Sequence, residues 1–406
     1  MQDSQRKPLV DRVRCLWVRC LVVVTVAAVI IVFCPSGDAQ PVLGTDFDSI
    51  LGPFDADFLV SGGAELEEEA VVALTPTAAA IQAAIANEIA SLAISAAGTQ
   101  YFFAADRSFY VSGNLGSFFI EPPWTSGQGS WSLGLNVTEL RFDNFNGKQL
   151  DSLFDFDSYV PFLGQEVRVL ESNYDLYGTL YTLSGTLGVA EDWDVGFVLP
   201  YVKLMGKGDW AYSYLGVPLA DFHETAEGIS DIFLRTKYEL LEIEDLYNLT
   251  TWSVGADIKL PNGDEDELLG TGDWGYRLRT LAGKRFWRVY PTVELAYYWA
   301  GVDAIDDFEI ASGTVDTGID GNDFDAFEFN AAVPINLIEE KWTVSAEYLL
   351  RRYNRSGPHR TAVDWGFSTR FKINDYCFIQ GGVRIPQDEN GLRAEYIPTI
   401  GGEFRF

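Results

Sequence analysis

Tyr396-Ile397-Pro398-Thr399-Ile400-Gly401-Gly402-Glu403-Phe404-Arg405-Phe406 closes the chain with alternating residue types. Apolar or small residues occupy one set of positions: Tyr396, Pro398, Ile400, Gly402, Phe404 and Phe406. Polar residues are interleaved with them: Glu395, Thr399, Glu403 and Arg405. A strand with this period has one apolar and one polar face, as the last strand of an outer-membrane β-barrel does. An edge strand of a soluble sheet would alternate in the same way, so the rest of the chain must decide.

The start of the chain predicts an export signal. Five basic residues, the last of them Arg19, precede an apolar run from Leu21 to Phe33, which is too short to span a bilayer as a helix. Small residues then lead to a cleavage site before Gln40, so residues 1–39 are predicted to be a signal peptide. The alternatives are an uncleaved anchor helix and a lipoprotein, although bulky Phe33 before Cys34 disfavours lipidation.

Composition narrows the class further. The chain has 59 acidic and 29 basic residues and a net charge of -30, which argues against nucleic-acid binding. Beyond the predicted signal, no stretch resembles a membrane-spanning helix, so an integral protein of this sequence would have to be a closed barrel. Only Cys377 remains after cleavage, and it has no partner for an intramolecular disulfide.

Residues 40–126 differ in character from the rest of the mature chain. The stretch from Ala64 to Gly98 is rich in alanine and predicts a helix, with Pro76 in its first turn. Its apolar residues recur at helical spacing: Ile81, Ile85, Ile89 and Leu92. Tyr101 to Trp124 is interpreted as an extended connector. This N-terminal segment would lie either in the periplasm or inside the barrel as a plug, and the pattern leaves both open.

From residue 127 onward the period of two predicts an antiparallel, all-β transmembrane barrel of about twelve strands, an even number as bacterial single-chain barrels require. The predicted strands are Trp131–Arg141, Leu176–Ala190, Trp193–Leu204, Gly228–Leu240, Thr251–Leu260, Asp273–Gly283, Trp287–Trp299, Phe324–Leu337, Trp342–Tyr353, Thr361–Phe371, Tyr376–Ile385 and Arg393–Phe406.

The connections between these strands alternate in length. Four are tight, namely Glu191-Asp192, Lys284 to Phe286, Ile338 to Lys341 and Ile373 to Asp375, while Leu241–Thr250 is the least regular on that side. The longer, polar ones are Phe142–Asp175, Met205–Glu227, Gly301–Asp323 and Asn354–Arg360. Short turns on one side and long loops on the other are typical of outer-membrane barrels, whose short side is periplasmic.

Aromatic residues recur beside the short turns and predict a membrane-interface girdle, to which Phe406 is added: Trp193, Trp252, Trp287, Trp342 and Tyr376. The same period of two assigns each strand residue either to the lipid-facing side or to the lumen. Val254, Ala256, Ile258 and Leu260 would face lipid and Ser253, Gly255, Asp257 and Lys259 the lumen. A later strand repeats this, with Val344, Ala346, Tyr348 and Leu350 outward and Ser345, Glu347 and Arg351 inward.

Charged residues on the inward faces are of both signs. The basic ones are Arg235, Lys237, Lys259, Arg277, Arg279, Arg370, Lys372 and Arg384. The acidic ones are Asp231, Asp257, Glu294, Glu328, Glu347, Asp364 and Glu395. A substrate pathway is predicted along Arg235, Lys237, Lys259, Arg277, Arg279, Glu347 and Arg370. The alternative, which we favour for each single residue, is a salt bridge that fills a narrow barrel.

Acidic loop residues are candidates for divalent cations: Asp264, Glu265, Asp266, Glu267, Asp303, Asp306, Asp307, Asp316, Asp320, Asn322, Asp323 and Asp325. The EF-hand spacing is absent, so a solvated loop is the favoured interpretation and no metal site is assigned. Catalysis has little support, because His223 and His359 are the only histidines and no hydrolase motif surrounds them. We expect no enzyme and no cofactor, with a membrane-embedded hydrolase as the alternative.

One stretch carries a family resemblance. Gly228-Ile229-Ser230-Asp231 begins a strand ending in Lys237-Tyr238, and the next strand closes on Leu260-Pro261-Asn262-Gly263, followed by Gly270-Thr271-Gly272-Asp273. This resembles the outer-membrane family named after the meta-pathway of phenol degradation, over Leu176 to Phe406. Asn262 stands where that family usually has threonine. The resemblance implies a barrel admitting small, often aromatic or apolar compounds, with no catalytic residues.

The sequence therefore predicts an outer-membrane barrel of a Gram-negative-type bacterium that passes small solutes passively. The alternative is a closed barrel acting as a surface receptor, adhesin or envelope-structure protein through its acidic loops. The expected partners are outer-membrane lipid, the barrel-insertion machinery and a small solute, and nucleic acid is not expected.

Overall fold

The structure is a computed structural model that describes residues 81, 84–94, 115–152, 156–160, 165–212, 217–245, 248–264, 269–301, 307–310, 313–316, 324–339, 341–355 and 360–406. The predicted signal peptide, the connector before residue 115, His359 and most of the acidic loop residues lie outside these ranges. Within them, no helix has the length and apolar character to cross a membrane. Asp46–Arg405 form one compact unit.

Eighteen strands follow one another in the described part of the chain: β1 (Trp131–Phe145), β2 (Lys148–Gln149), β3 (Phe156–Val160), β4 (Gln165–Ala190), β5 (Trp193–Tyr212), β6 (Val217–Ile229), β7 (Ile232–Asp245), β8 (Asn248–Leu260), β9 (Gly275–Lys284), β10 (Thr292–Trp299), β11 (Asp307–Ile310), β12 (Gly313–Asp316), β13 (Ala326–Ile338), β14 (Trp342–Tyr353), β15 (Thr361–Asn374), β16 (Cys377–Pro386), β17 (Leu392–Ala394) and β18 (Ile397–Arg405). Residues 84–94 are helical.

Twelve of these strands form a closed antiparallel barrel in the order β1, β18, β16, β15, β14, β13, β10, β9, β8, β7, β5 and β4, and β4 pairs again with β1. The closure is visible at Leu135, which lies opposite Gly402 on one side and Leu183 on the other. Because every barrel strand then has two partners, the backbone leaves no open sheet edge at this level. The predicted architecture of about twelve strands is confirmed.

Several strands run beyond their predicted ends. β4 and β5 pair from Ala190 and Trp193 as far as Leu170 and Tyr212, well into stretches predicted as loops. Exposed ion pairs join the strands there, with Lys207 3.2 Å from Asp175 and Lys203 3.0 Å from Glu227. Above the apolar belt the outward side chains, such as Asp175 and Lys207, are polar, while inward ones, such as Tyr174 and Leu176, are apolar and buried. The apolar-outward alternation on which the prediction rests is therefore reversed there.

One predicted strand begins too early. The sequence places Trp287 in a strand, but β10 starts at Thr292, and Phe286 and Val289 pair across a tight turn. Trp287 occupies the left-handed region with φ 54°, which requires a turn rather than extended backbone. A second irregularity lies at Ser230 and Asp231, which interrupt β6 and β7 although both strands pair with β5.

The two faces of the wall are as predicted. Ser253, Asp257 and Lys259 are buried, whereas Ile258 is 39% exposed on the outside. Three of the predicted girdle tryptophans donate their indole N–H to a threonine hydroxyl on the next strand, Trp193 to Thr236, Trp252 to Thr280 and Trp342 to Thr369, at 2.7–2.8 Å. Two to seven residues join the strands at this end, which we call the short-turn end.

The barrel interior is filled by the chain's own N-terminal residues. Every described residue of the helix is buried on all sides, including Asn87, Glu88 and Ser91. We call residues 84–94 the luminal helix. Residues Leu115–Ser126 have no regular structure and are buried as well, and we call them the luminal segment. The N-terminal part whose place the sequence left open therefore lies inside the barrel wherever the structure describes it.

Candidate functional site

The luminal segment crosses the barrel close to its short-turn end. At one end of the segment, the Leu115 N–H donates to the Thr343 hydroxyl on β14 at 2.9 Å. At the other, the Ser126 N–H donates to both carboxylate oxygens of Asp194 on β5 at 2.9 and 3.0 Å. β14 and β5 are six strands apart in a barrel of twelve, so the segment spans the full lumen.

Glu121, in the middle of this segment, meets three cations of the wall. Its carboxylate lies 2.8 Å from the Lys237 ammonium and 3.0 Å from the Arg235 guanidinium, and it also contacts Arg279. Lys237 donates in addition to the carbonyl of Pro122 at 3.2 Å. A buried carboxylate requires such partners, because an unpaired charge away from water is very costly. Glu121 therefore anchors the luminal segment to β7 and β9.

The ion pairs continue along the wall. Arg277 contacts three carboxylates, at 2.6 Å from Glu294, 2.7 Å from Glu328 and 3.3 Å from Asp257. Asp257 also pairs with Arg235 at 3.1 Å and with Arg279 at 3.4 Å. We call this set the charge belt: Glu121, Asp257, Glu294 and Glu328 with Arg235, Lys237, Arg277 and Arg279. Its four acids and four bases balance in formal charge.

Across the lumen, the luminal segment is held through its backbone. Glu347 accepts the N–H groups of Phe118 at 3.1 Å and Phe119 at 2.9 Å, and the Ser368 hydroxyl at 2.6 Å. Arg370 donates to the carbonyls of Leu115 and Ser117 at 3.2 Å and pairs with Glu403 at 2.7 Å. Both wall residues thus satisfy groups of a segment that has no regular hydrogen bonds of its own.

Two glycines make room for the Phe119 ring. A Cβ atom on Gly382 would lie 2.9 Å from that ring, and one on Gly366 would lie 3.0 Å from it. These separations are shorter than real Cβ contacts allow, so the ring can reach the wall only because side chains are missing there. The close approach fixes the level at which the segment crosses the lumen.

The luminal helix lies in a different environment. It shares one apolar core with wall residues that face inward. The part of the lumen that these wall residues line is called the apolar chamber: Phe142, Leu176, Leu180, Val198, Val202, Leu204, Phe233 and Tyr298. Its charged side chain Glu88 lies 3.6 Å from Arg351 and 3.9 Å from Arg384. Arg351 also contacts the Ser91 hydroxyl. Because most described residues of the helix are apolar and buried in this core, its attachment is mainly apolar.

A small cavity separates the luminal helix from the luminal segment. It has a volume of about 50 Å³ and is lined by residues of both, including Glu88, Phe119 and Glu121, and by Arg277 of the charge belt. This volume exceeds the space that one water molecule needs. The cavity therefore lies where the luminal helix, the luminal segment and the charge belt meet.

All seven residues of the predicted pathway are buried inside the barrel: Arg235, Lys237, Lys259, Arg277, Arg279, Glu347 and Arg370. The structure brings six of them to the charge belt and the luminal segment. Lys259 lies apart, 3.7 Å from Asp231 and 2.7 Å from the carbonyl oxygen of Gly301. Their role in a pathway remains a prediction, whereas the ion pairs of the favoured interpretation are present.

The other charged residues predicted to face the lumen differ in burial. Arg384 and Asp364 are buried and pair with each other, while Lys372 pairs with Asp375 at 2.7 Å in the turn after β15. Glu395 was predicted to face the lumen, and this is wrong, because its side chain is exposed. The chain leaves the ladder between Ala394 and Ile397, so the alternation of β18 does not extend back to Glu395.

Sequence reasoning missed Glu121 and Glu88. Glu121 is the only charged residue among residues 108–138, in a stretch rich in aromatic side chains. A single carboxylate in such surroundings is a usable signal, because burial of that stretch would require cationic partners. Glu88 carries no comparable signal, since isolated acids are common on exposed helices.

The motif that carries the family resemblance forms a clamp at the other end of the barrel. Asp231 accepts the N–H of Gly263 at 3.1 Å, the N–H of Thr271 at 3.0 Å and the Thr271 hydroxyl at 2.9 Å. Gly263 and Gly270 touch through their backbones, because a Cβ on Gly263 would lie 2.6 Å from the Gly270 Cα atom. The motif residues thus fix the loop between β8 and β9 to the break between β6 and β7.

Within the described ranges, no group of three or more histidine, cysteine or carboxylate side chains is placed so that it could hold a metal ion. Asp325, one of the predicted cation candidates, instead accepts the N–H of Ala300 at 2.8 Å. His223 is exposed on β6.

The chain is similar to known proteins at the level of family and of fold. The family model described as "Putative MetA-pathway of phenol degradation" matches residues 167–387. No curated protein matches the chain. Among solved structures, an outer membrane channel from Pseudomonas putida F1 has a TM-score of 0.45 at 12% identity, covering 70% of this chain and 98% of that chain.

Two further structures are similar at a lower level. The CymD monoaromatic hydrocarbon channel has a TM-score of 0.34 at 11% identity, covering 69% of this chain and 89% of that chain. A FadL homologue from Pseudomonas aeruginosa has a TM-score of 0.32 at 8% identity, covering 71% of this chain and 90% of that chain. At such scores these likenesses carry no inference about what the present chain transports.

Proposed function

Because the chain belongs to the MetA-pathway of phenol degradation family, whose model matches more than half of its length, we propose that it is an outer-membrane channel for passive uptake of small solutes, among them aromatic or apolar compounds. A belt of exposed apolar side chains and the tryptophan girdle support insertion in the outer membrane. The short-turn end would then face the periplasm. Transport, rather than catalysis, is the activity proposed.

The observation that carries the proposal is the apolar chamber. Leu176, Val198 and Phe233 are among the residues that point inward at this level, where a general porin would have a polar, water-filled lumen. An apolar lining offers little to an ion or a sugar but favours a solute that loses water on entry. The luminal helix occupies the chamber, so uptake requires that the helix moves.

The contacts inside the lumen support the helix, rather than the segment, as the mobile part. If Glu88 left with the helix, Arg351 would still pair with Glu328 at 3.1 Å, and Arg384 would still pair with Asp364. Removal of the luminal segment would instead deprive Arg279 and Lys237 of Glu121 and leave the Glu347 carboxylate without the N–H donors of Phe118 and Phe119. In ion pairs and hydrogen bonds, helix displacement is therefore the less costly change, and its apolar contacts are of the kind that an apolar solute can replace.

Uptake of radiolabelled phenol into cells that lack their general porins tests the proposal. We expect deletion of residues 64–98 to raise the initial uptake rate, because the apolar chamber is emptied while the charge belt is kept. The control is Glu191→Gln, a change at an exposed turn residue, which should leave uptake at the wild-type level. Equal uptake by the deletion variant and by cells without the protein, with folding shown by heat-modifiable gel mobility, would contradict the channel function.

A second candidate function is a closed barrel that acts as a receptor, adhesin or envelope-structure protein. It is favoured by the filled lumen, since a barrel that never opens has no need of an empty interior. Deletion of the acidic loop residues 303–323 would separate the two, because it should abolish partner binding in this case and leave solute uptake unchanged in the other.

A further inference from the structure

The outer wall carries a groove that the proposed transport function does not use. It has a volume of about 710 Å³ and lies across β13, β14, β15 and β16. The strand register places two rows of outward side chains in it. Ile335, Val344, Thr369 and Gly381 form one row, and Val333, Ala346, Phe367 and Val383 form the other. The groove is a depression because Ala346 and Gly381, on its floor, are small.

Larger side chains border the groove at both ends. Below it, toward the short-turn end, lie Trp342 and Phe371, which are opposite each other on β14 and β15. Above it lie Tyr348 and Trp365, whose ring centroids are 5.3 Å apart. A depression two rows high between aromatic ledges is a shaped site.

Positive charge collects at the lower rim of the groove. Lys341 is exposed, and its carbonyl accepts the N–H of Lys372 at the foot of β14 and β15. Arg288 is exposed and stacks over the Trp287 ring at 5.0 Å, while its carbonyl accepts the N–H of Asn336 beside Ile335. Of the carboxylates that the structure describes at this rim, Asp375 lies 2.7 Å from Lys372 and Glu339 lies 3.9 Å from Arg285.

We propose that this groove binds one anionic phospholipid of the periplasm-facing leaflet, with an acyl chain along Val344, Ala346 and Gly381 and its phosphate at Lys341 and Arg288. The chain as a whole has a net charge of -30, so exposed cations beside an aromatic girdle are a local exception. Cations at this depth attract anionic headgroups, and tryptophan rings pack beside the glycerol region. The assignment is independent of whether the lumen conducts.

Native mass spectrometry of the detergent-extracted mature protein, titrated with phosphatidylglycerol or phosphatidylcholine, tests the site. We expect wild type to retain one phosphatidylglycerol. Gly381→Leu should lower that occupancy at least tenfold, because the new side chain fills the floor. A Cβ there meets nothing closer than the Thr399 carbonyl oxygen at 3.5 Å, so the fold should persist.

Two further variants test the floor and the cations of the groove separately. Gly402→Leu makes the same change on the outward face of β18, outside the groove, and should leave occupancy within twofold of wild type. Lys341→Ser with Arg288→Ser should lower phosphatidylglycerol binding at least fivefold and leave phosphatidylcholine binding unchanged. Heat-modifiable gel mobility would establish that each variant is folded.

Three results would overturn the proposal. The first is equal phosphatidylglycerol occupancy in wild type and Gly381→Leu. The second is equal binding of both lipids by wild type, because the cations would then contribute nothing. The third is a dimer that Gly381→Leu dissociates, which would assign the groove to a second copy of the chain.

Discussion

At the residue scale, Glu121 joins the luminal segment to the barrel wall. Glu121→Gln keeps the shape of the side chain but leaves Lys237, Arg235 and Arg279 with one carboxylate fewer in a buried site. Removing one member of a buried ion pair costs roughly 3–5 kcal/mol. We expect the free energy of unfolding in urea, followed by tryptophan fluorescence in detergent, to fall by about that amount.

The control for this change is Glu191→Gln, because Glu191 is exposed at the turn between β4 and β5. Its free energy of unfolding should remain within about 0.5 kcal/mol of wild type. A loss of stability as large as that of Glu121→Gln would mean that the ion pairs of the charge belt contribute nothing specific.

Adjacent glycines on β16 offer a second residue-scale prediction. Gly382→Ala places a Cβ 2.9 Å from the Phe119 ring, whereas the Cβ of Gly381→Ala points outward and meets nothing closer than 3.5 Å. Overpacking of this kind costs about 1–3 kcal/mol. We expect Gly382→Ala to be destabilising and Gly381→Ala to be near neutral in urea unfolding.

A double-mutant cycle attributes the effect to the ring. Phe119→Leu removes the atoms that the new Cβ would meet, so the combined variant should be less destabilised than the sum of the single changes. Additive losses would show that Gly382 matters for another reason, such as the backbone of β16.

At the element scale, the Asp231 clamp ties the loop between β8 and β9 to the break between β6 and β7. Asp231→Asn replaces a carboxylate that accepts two N–H groups and a hydroxyl by an amide with a single acceptor oxygen. We expect the loop to open, so that limited proteolysis cleaves within residues 261–274 at least tenfold faster. The barrel itself should keep its heat-modifiable mobility.

Asn262→Thr is the matched control for the clamp. Asn262 is exposed in the same loop and donates its backbone N–H to the Leu260 carbonyl, which the change leaves in place. Cleavage at the wild-type rate is expected. Faster cleavage of Asn262→Thr, or no effect of Asp231→Asn, would remove Asp231 from its role in holding the loop.

Elements were predictable where one face meets lipid, because an apolar side chain at every second position is then required. β14 shows this, with Trp342 and Tyr353 at its ends as expected. The upper parts of β4 and β5 were not predictable, since cross-strand pairs such as Lys207 and Asp175 leave no apolar stripe on the outward face. The luminal segment has no regular structure, and its place inside the barrel depends on long-range partners such as Glu347 that no local pattern encodes.

At the scale of the whole molecule, the lumen combines a layer held by ion pairs and hydrogen bonds with a layer held mainly by apolar contacts. The charge belt could be assembled from the sequence only as a list of inward residues, because which acid meets which base depends on strand register and on Glu121. The pairing alters what charge changes would do. Replacing Arg277 and Arg279 by glutamate would set new carboxylates against Asp257 and Glu294 and impair folding before it altered ion selectivity.

Two truncations distinguish the layers. Deletion of residues 64–98 removes the luminal helix but leaves Glu121, Glu347 and Arg370 with their partners, so the loss of stability in urea should be confined to the apolar contacts of the helix. A mature chain beginning at Gly127 also lacks the luminal segment and leaves buried charges unpaired around it. We expect a further loss on the order of 5 kcal/mol or more. If both truncations were equally stable, the luminal segment would be dispensable, and the division of the lumen into a fixed and a movable layer would be wrong.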